Sequence, residues 1–193
     1  MSPDPNNFIL RPISSNDDTK KLSLGNPIYT PLKIFLKKDA YDFHQFEIAK
    51  TYVLVEEVST SRISNSPRIW AYITLMNSEI DLTGISNHKY PQETLSALRY
   101  TTFPAVKIAR LAVDKDLQGK GMGKTMLLWT INYVRLQIMP SVGCRFLAVD
   151  SKQQTIDFYK KNGFNILETE SNLSSEHPLM FFDLYKCTKD ING

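Results

Sequence analysis

The sequence predicts an α+β fold in which a mixed, mostly antiparallel sheet of six to seven strands is flanked by about four helices. Two β-branched and aromatic runs, residues 51–58 and 68–80, are separated by a polar stretch and predict an antiparallel hairpin. Further along, a strand, a glycine-rich turn and a helix follow one another directly over residues 105–138. At 193 residues, 42% of them apolar, the chain can bury a core of its own, so we expect a single domain over residues 1–193.

In order along the chain, the first elements are a short strand and a long helix. Residues 8–13 form an apolar run that predicts a strand closing at Pro12. Apolar residues spaced three and four apart from Leu32 to Phe46 predict one helix, from about residue 31 to about residue 49. The hairpin follows, and a short helix is predicted around residues 91–98.

The second half of the chain is predicted to alternate strands and helices. Gly163 is expected to stop the last predicted helix, because glycine favours the left-handed conformation found at helix ends. Strands are predicted at residues 105–114, 145–150 and 177–186, and helices at residues 122–138 and 154–164.

Composition and residue spacing exclude several classes of protein. The net charge of +3 is mild, so it permits an anionic partner without requiring one. The first residues do not form a signal sequence and no stretch approaches about 18 apolar residues, so we expect neither secretion nor membrane insertion. Cys144, Cys187 and the three histidines are scattered, so we expect no metal site and a reducing, cytoplasmic location.

Residues 118–125, QGKGMGKT, form the most informative short motif. The end of a nucleotide-binding P-loop is present, but Gln118 occupies the position of its first glycine. Mostly antiparallel predicted strands precede the turn, and too little chain follows Thr125 for several further βα units, which disfavours a P-loop fold. The alternative is a cradle of backbone N–H groups at a helix start, opened by glycines, that holds a pyrophosphate. We favour this alternative.

The turn and a second motif resemble the GCN5-related N-acetyltransferase (GNAT) family. QGKGMG after the strand ARLAVD matches the family's pyrophosphate loop, and IDFYKKNGF at residues 156–164 matches its fourth helix. Their separation is the family's usual one, although Lys152 stands where many members have an asparagine. The resemblance implies the GNAT fold, with a motif-bearing core at about residues 105–164, and acetyl-CoA as the cosubstrate.

Within that family the chain is most similar to the toxin branch, which acetylates the amino acid on charged tRNA. The segments LKIFLKKDA, AYITLMNSEI, HPLMFFDL and ARLAVDKDLQGKGMGKTML carry this similarity. It implies charged tRNA as the acceptor and a ribbon-helix-helix antitoxin as a partner, with a homodimer as an assembly to be tested. Two alternatives stay open: an N-acetyltransferase of a small amine or a protein N-terminus, and a non-catalytic acyl-CoA-binding module.

The resemblance also assigns site residues. An amine would attack the thioester of acetyl-CoA directly, and CoA thiolate would leave. Tyr159 matches the family tyrosine that protonates the departing sulfur, while simple packing beside Phe158 is the alternative role of its ring. Backbone groups of Leu111, Ala112 and Val113 would bind the pantetheine arm and polarise the thioester carbonyl. The pyrophosphate would be held by Gln118, Gly119, Lys120, Gly121, Met122, Gly123 and Lys124.

No histidine or carboxylate stands out as a general base. An α-amino group with a pKa near ~7.7 has a large neutral fraction at cellular pH, unlike a lysine side chain near ~10.4, so an aminoacyl ester needs less help. Asp114 and Glu57 lie on or beside central strands and are candidates to assist through water, but solvated charges at strand ends are the favoured interpretation. Lys33, Lys37 and Lys38 on the first predicted helix are candidate substrate contacts, or else a solvated helix face.

Overall fold

The structure is a computed structural model that describes residues 7–57, 66–82 and 101–185. Its strands are β1 (Phe8–Pro12), β2 (Lys50–Glu56), β3 (Ile69–Asp81), β4 (Thr102–Val113), β5 (Phe146–Asp150), β6 (Asn165–Ile166) and β7 (Leu179–Asp183). Its α-helices are α1 (Thr30–Lys38), α2 (Ala40–Gln45), α3 (Met122–Tyr133), α4 (Ile156–Lys161) and α5 (Glu170–Leu173).

The strands form a seven-stranded sheet in the order β1-β2-β3-β4-β5-β7-β6. β4 and β5 are parallel, whereas β1 with β2, β2 with β3, β5 with β7 and β6 with β7 are antiparallel. The predicted α+β class and its mixed, mostly antiparallel sheet are therefore confirmed.

The chain divides into two compact units. The first comprises Met1–Met76 with Ala109–Met126, and the second comprises Asn77–Ile108 with Leu127–Gly193. The glycine turn belongs to the first unit and Tyr159 to the second. The predicted site residues are thus shared between the two units.

In the first unit, β1, β2 and the start of β3 form an antiparallel meander, with Leu10 opposite Leu54 and Val53 opposite Tyr72. β2 is buried on both faces from Thr51 to Val55. This explains why its sequence is a continuous apolar and β-branched run and not an alternating one.

Helices α1 and α2 pack their apolar stripe into the core of the first unit. Phe35 lies parallel to the Tyr72 ring of β3 at 6.3 Å and meets Phe43 of α2 edge-on at 5.7 Å. The Tyr72 hydroxyl donates a hydrogen bond of 2.7 Å to the Leu32 carbonyl. The helix face carrying Phe35 and Leu36 is therefore fixed on the sheet by aromatic packing and one buried hydrogen bond.

The prediction of one helix over about residues 31–49 is wrong at two points. The chain leaves α1 at Asp39, whose φ of −118° departs from helical geometry, and α2 begins directly after it. α2 ends at Gln45 because Glu47 has a positive φ of 60°, and the Phe43 carbonyl accepts from both Ile48 and Ala49. This helix end was not predicted because its left-handed residue is a glutamate, whereas a glycine would have marked the end of the helix in the sequence.

In the second unit, a row of aromatic rings joins three strands. Phe103 of β4 contacts Phe146 of β5 edge-on at 6.0 Å, and Phe146 contacts Phe181 of β7 in the same way at 5.5 Å. β7 pairs with β5 along its whole length, from Phe146 opposite Asp183 to Asp150 opposite Leu179. The last strand of the described residues is thus an interior strand of the sheet.

The remaining sequence predictions have mixed outcomes. The strand at residues 8–13, the hairpin strands and the strands at 105–114, 145–150 and 177–186 are confirmed with small shifts at their ends. The helix predicted to residue 138 is α-helical only to Tyr133, and a π-helical turn, Val134–Ile138, continues it. β6 and α5 were missed, because two and four residues are too few to show a period. The hairpin tip and the helix predicted at 91–98 fall on positions outside the described residues.

Gly163 offers a test of the predicted helix stop. Its φ is +86°, and an added Cβ would lie 3.0 Å from Cε2 of Phe182. We expect Gly163→Ala to lower the free energy of unfolding by roughly 1–3 kcal/mol, measured by thermal or urea unfolding, because an L-residue is strained there. Gly143→Ala is the matched control, since no atom lies within 4 Å of its added Cβ and its φ is not positive. Equal stability of the two variants would contradict this account.

Candidate active site

In the glycine turn between β4 and α3, the space next to the Cα atoms of Gly119 and Gly121 is empty of protein atoms. Gly119 and Gly121 have φ values of +73° and +82°, which only glycine adopts without strain. An added Cβ at either position would meet no atom within 4 Å. The glycines therefore shape the backbone of the turn and leave space above it.

Backbone donors at the start of α3 point into a site without protein acceptors. The first N–H to be used within the helix is that of Thr125, which donates to the Gly121 carbonyl at 3.0 Å. In the part of the chain that the structure describes, no residue accepts from the N–H groups between Gly119 and Lys124. Unused N–H groups and the positive end of a helix dipole are what the predicted anion cradle requires, and anion binding at this turn stays a prediction.

Two exposed lysines stand at this turn. Lys120 lies between the two glycines and Lys124 in the first turn of α3, and no described carboxylate lies within ion-pair distance of either. Met122 is buried and packs the helix start onto the core. The turn therefore offers neutral backbone donors at its centre and two ammonium groups beside them.

Gln118 is used differently from the other loop residues. Its N–H donates to the Asp114 carbonyl at 3.1 Å, and its side-chain Nε2 donates to the carbonyls of Val113 at 2.9 Å and Leu24 at 3.3 Å. These donors are therefore spent on the protein itself. The geometry gives Gln118 a positioning role beneath the turn, with the anion-facing donors supplied by the residues that follow it.

Asp114, the residue that follows β4, holds the turn with its side chain. The side chain has no exposed surface, so the interpretation of Asp114 as a solvated strand-end charge is wrong. Its Oδ2 accepts from the Ser23 N–H and from Nη2 of Arg68, both at 2.9 Å, and its Oδ1 accepts from the Asp116 N–H at 3.1 Å. The Arg68 guanidinium also lies 3.6 Å above the Trp70 ring, so its charge is packed as well as paired.

The main chain of Asp114 completes the attachment. Its N–H donates to the Trp70 carbonyl at 2.7 Å, and its carbonyl accepts from the N–H groups of Leu117 and Gln118. Such a tight turn after an aspartate is a recognised local signal, but its ion-pair partner lies far away in sequence. Glu57, the other carboxylate considered, is exposed.

The strand end before the turn is where the pantetheine contacts were predicted. Leu111 and Val113 are half-buried, and Ala112 is 5% exposed. The described pairing of β4 with β5 ends at Lys107 opposite Ala148, although β4 continues to Val113. The roles of these three residues stay predictions.

Tyr159, in the second unit, is held in place by the end of its own helix. The ring is 6% exposed and meets Phe158 and Phe164 edge-on at 5.1 and 5.3 Å. The N–H groups of Asn162 and Phe164 both donate to the Tyr159 carbonyl, and Gly163 supplies the left-handed residue between them. The residues after the tyrosine in YKKNGF thus form a helix end that fixes the ring.

The Tyr159 hydroxyl has no protein partner among the described residues. Burial raises the pKa of its phenol well above the ordinary value, so the group stays neutral and keeps its proton at physiological pH. A buried phenol with an unused O–H is a suitable proton donor to an anion formed beside it.

The basic residues of α1 are available at the surface. Lys33 is half-buried and Lys37 and Lys38 are exposed, and none has an ion-pair partner within the described ranges. Lys152 opens the 3-10 turn before α4, where its carbonyl accepts from the Thr155 N–H at 2.8 Å. The structure therefore assigns Lys152 a backbone role at the start of that turn.

Residues 7–57, 66–82 and 101–185 contain no helix with the length and apolar character needed to cross a membrane. They also contain no group of three or more histidine, cysteine, aspartate or glutamate side chains placed to hold a metal ion.

Comparison with known proteins agrees with this arrangement. Residues 84–166 match the family described as "Acetyltransferase (GNAT) domain". The solved structure "AtaT complexed with acetyl-methionyl-tRNAfMet" is similar with a TM-score of 0.77 at 22% identity, over 95% of this chain and 99% of that chain. A mutant of KacT gives a TM-score of 0.77 at 25% identity, over 95% and 98% of the two chains. A mutant AtaT toxin bound to the C-terminus of the antitoxin AtaR and acetyl-CoA gives 0.71 at 20% identity, over 97% and 99%. The predicted GNAT fold is confirmed.

The backbone cradle can be tested at Gly121. Gly121→Asp adds a carboxylate within the run of N–H groups that have no described acceptor, so we expect acetyl-CoA to bind roughly 10- to 100-fold more weakly by calorimetry, the equivalent of one charged hydrogen bond. Gly121→Ala is the matched control, because it introduces the same backbone strain without the charge. Magnesium-dependent binding of ATP in place of acetyl-CoA by the wild type would overturn the cradle and restore the P-loop interpretation.

Proposed function

We propose that this chain is an acetyl-CoA-dependent N-acetyltransferase of the GCN5-related N-acetyltransferase family, and that it is a toxin that acetylates the α-amino group of aminoacyl-tRNA. The observation that carries the assignment of the cosubstrate is the run of unused backbone N–H groups from Gly119 to Lys124 at the start of α3. The chain is treated in this proposal as one acetyltransferase domain over residues 1–193.

The cosubstrate is assigned to the turn and the strand before it. The pyrophosphate of acetyl-CoA would accept hydrogen bonds from the N–H groups of Gly119 to Lys124, and the ammonium groups of Lys120 and Lys124 would add charge-assisted bonds. Backbone groups of Leu111, Ala112 and Val113 would align the pantetheine arm. A main-chain N–H of this segment would polarise the thioester carbonyl.

The chemistry requires one bond to form and one to break. The nitrogen of the neutral amine bonds to the thioester carbon, the carbon–sulfur bond breaks, and the proton lost by nitrogen passes to solvent. Tyr159 gives its phenolic proton to the departing thiolate and regains one from water. An α-amino group supplies the neutral amine without a dedicated base, because its pKa lies close to cellular pH.

The acceptor and partners are inferred from similarity and charge. AtaT, with the same fold, has been solved with acetyl-methionyl-tRNA and, as a mutant, with the C-terminus of its antitoxin. Lys33, Lys37 and Lys38 on α1, which have no ion-pair partner among the described residues, suit a nucleic acid. We therefore assign charged tRNA as acceptor and a ribbon-helix-helix protein as antitoxin, and we place the reaction in the cytoplasm, where charged tRNA is found. A homodimer is the assembly to test first.

Tyr159→Phe tests the acid. The variant loses one hydroxyl that has no described partner, so its stability should match that of the wild type. We expect kcat to fall by ~10²–10⁴ while acetyl-CoA affinity is unchanged. Because burial raises the pKa of Tyr159, wild-type kcat should show no alkaline decline at the ordinary tyrosine pKa near ~10.

Tyr133→Phe, which removes a hydroxyl from the ring stacked on Trp129, is the matched control for this experiment. Unchanged turnover in Tyr159→Phe would show that Tyr159 only packs.

The acceptor can be tested with labelled acetyl-CoA and a pool of charged tRNAs. Label should appear on the aminoacyl end, and uncharged tRNA should stay unlabelled. Replacing Lys33 and Lys37 by glutamate should weaken tRNA binding and make it less dependent on salt concentration, because fewer phosphate contacts mean that fewer counterions are released on binding. The affinity for acetyl-CoA should stay constant. Label found only on a polyamine or a protein, with translation in a cell-free extract unaffected, would assign the enzyme to one of those acceptors instead.

A further inference from the structure

Arg110 of β4 lies at an unusual place for an arginine. Its guanidinium carbon is 3.7 Å from the centroid of the Phe35 ring, which is itself buried on α1. Phe35 in turn lies parallel to Tyr72 and contacts Phe43. The guanidinium therefore rests on the edge of a fixed aromatic cluster, which holds its plane in one orientation.

Three other arginines of the described chain form ion pairs with buried aspartates. Arg11 pairs with Asp17, Arg68 with Asp114 and Arg145 with Asp183. Arg110, by contrast, has no ion pair and no hydrogen-bond partner within residues 7–57, 66–82 and 101–185.

The donors of Arg110 are accessible and its one polar neighbour is neutral. None of its nitrogens is among the fully buried atoms that lack a partner, so solvent or a ligand can contact them. Tyr72 does not neutralise it, because the Tyr72 hydroxyl donates to the Leu32 carbonyl and burial raises the pKa of the phenol. A half-buried cation without an anion is costly, and a bound anion removes that cost.

The neighbours of Arg110 along the chain relate it to the proposed site of reaction and to the lysines of α1. Arg110 directly precedes Leu111, the first residue proposed to lie along the pantetheine arm, so it is close in sequence to the proposed site of reaction. Its aromatic support, Phe35, is on the same helix as Lys33, Lys37 and Lys38. The acidic residues nearest to these lysines in sequence are Asp39 and Asp42, which begin α2.

We propose that Arg110 binds a backbone phosphate at the 3′ end of the acceptor nucleic acid and so places the aminoacyl amine at the thioester. This rests on the proposed function. A planar guanidinium can donate two parallel hydrogen bonds to phosphate oxygens, and an amino acid esterified to tRNA has no free carboxylate to compete for them. The α1 lysines extend the same contact along the polyanion.

The experiment compares two acceptors that share the reacting amine and ester. One is a charged tRNA, and the other is the methyl ester of the same amino acid, which has no phosphate. In Arg110→Met, whose side chain still covers Phe35, kcat/KM for charged tRNA should fall about 10- to 100-fold, as for loss of one charged hydrogen bond. For the methyl ester it should stay within about twofold of the wild type, and acetyl-CoA affinity should not change.

Two variants serve as references. Arg110→Lys keeps the charge without the planar fork, so its kcat/KM for charged tRNA should lie between those of the wild type and Arg110→Met. Lys20→Met removes one exposed charge from the same unit and should leave both acceptors unaffected. Equal losses with tRNA and methyl ester, a changed acetyl-CoA affinity, or an unchanged kcat/KM for tRNA would each overturn the proposal.

A failure of the proposed function has a different signature, since wild-type enzyme would then leave every charged tRNA unlabelled. In that case, or if Arg110→Met does not fold, the proposed phosphate contact of Arg110 can be tested directly. The measurement is the binding of a 5′-phosphorylated CCA trinucleotide to the wild type and to Arg110→Lys by fluorescence anisotropy. Weaker binding by Arg110→Lys supports a phosphate contact, and equal or absent binding rejects it.

Discussion

The buried carboxylate of Asp114 is the constraint on which the proposed cosubstrate site depends. A charge with no exposed surface is tolerated only when it is paired and hydrogen-bonded, and Asp114 meets both conditions through Arg68 and two backbone N–H groups. Because Ser23 precedes α1 and Arg68 precedes β3, one side chain joins two distant segments to the end of β4. Removing the Arg68 charge would leave the Asp114 carboxylate buried without its ion-pair partner, so the ion pair and the turn are stabilised together.

The open cradle follows from that attachment. Asp114 and Gln118 form hydrogen bonds with other residues of the protein, and these bonds fix the start of the turn. The N–H groups of Gly119 to Lys124 are not used in them. The positive φ values of Gly119 and Gly121 then carry the chain into α3 with no side chain above those two residues. In the proposed function, this turn would bind acetyl-CoA through neutral backbone groups and a helix dipole, which are oriented before the ligand arrives.

Local patterns in the sequence predicted most of the strands, the glycine turn and the helix end at Gly163, since each depends on residues close together in the chain. Features that depend on distant partners could not be predicted. Asp114 looks like an ordinary strand-end charge until Arg68, far earlier in the chain, is placed beside it. Arg110 was not singled out, because only the fold brings it onto Phe35. The break at Asp39 was missed because the apolar spacing of three and four continues across it.

The placement of cations also explains how a chain of modest net charge can suit a polyanionic acceptor. Arg11, Arg68 and Arg145 are consumed by buried aspartates, so they contribute to folding and little to the external field. Arg110 and the α1 lysines have no described anionic partner, and their charge is therefore available to a ligand. Binding of nucleic acid depends on how many cations reach phosphates, and not on the sum over the chain. A net charge of +3 is compatible with a tRNA acceptor when cations without a described anionic partner include Arg110 and the lysines of α1, the helix that carries its aromatic support.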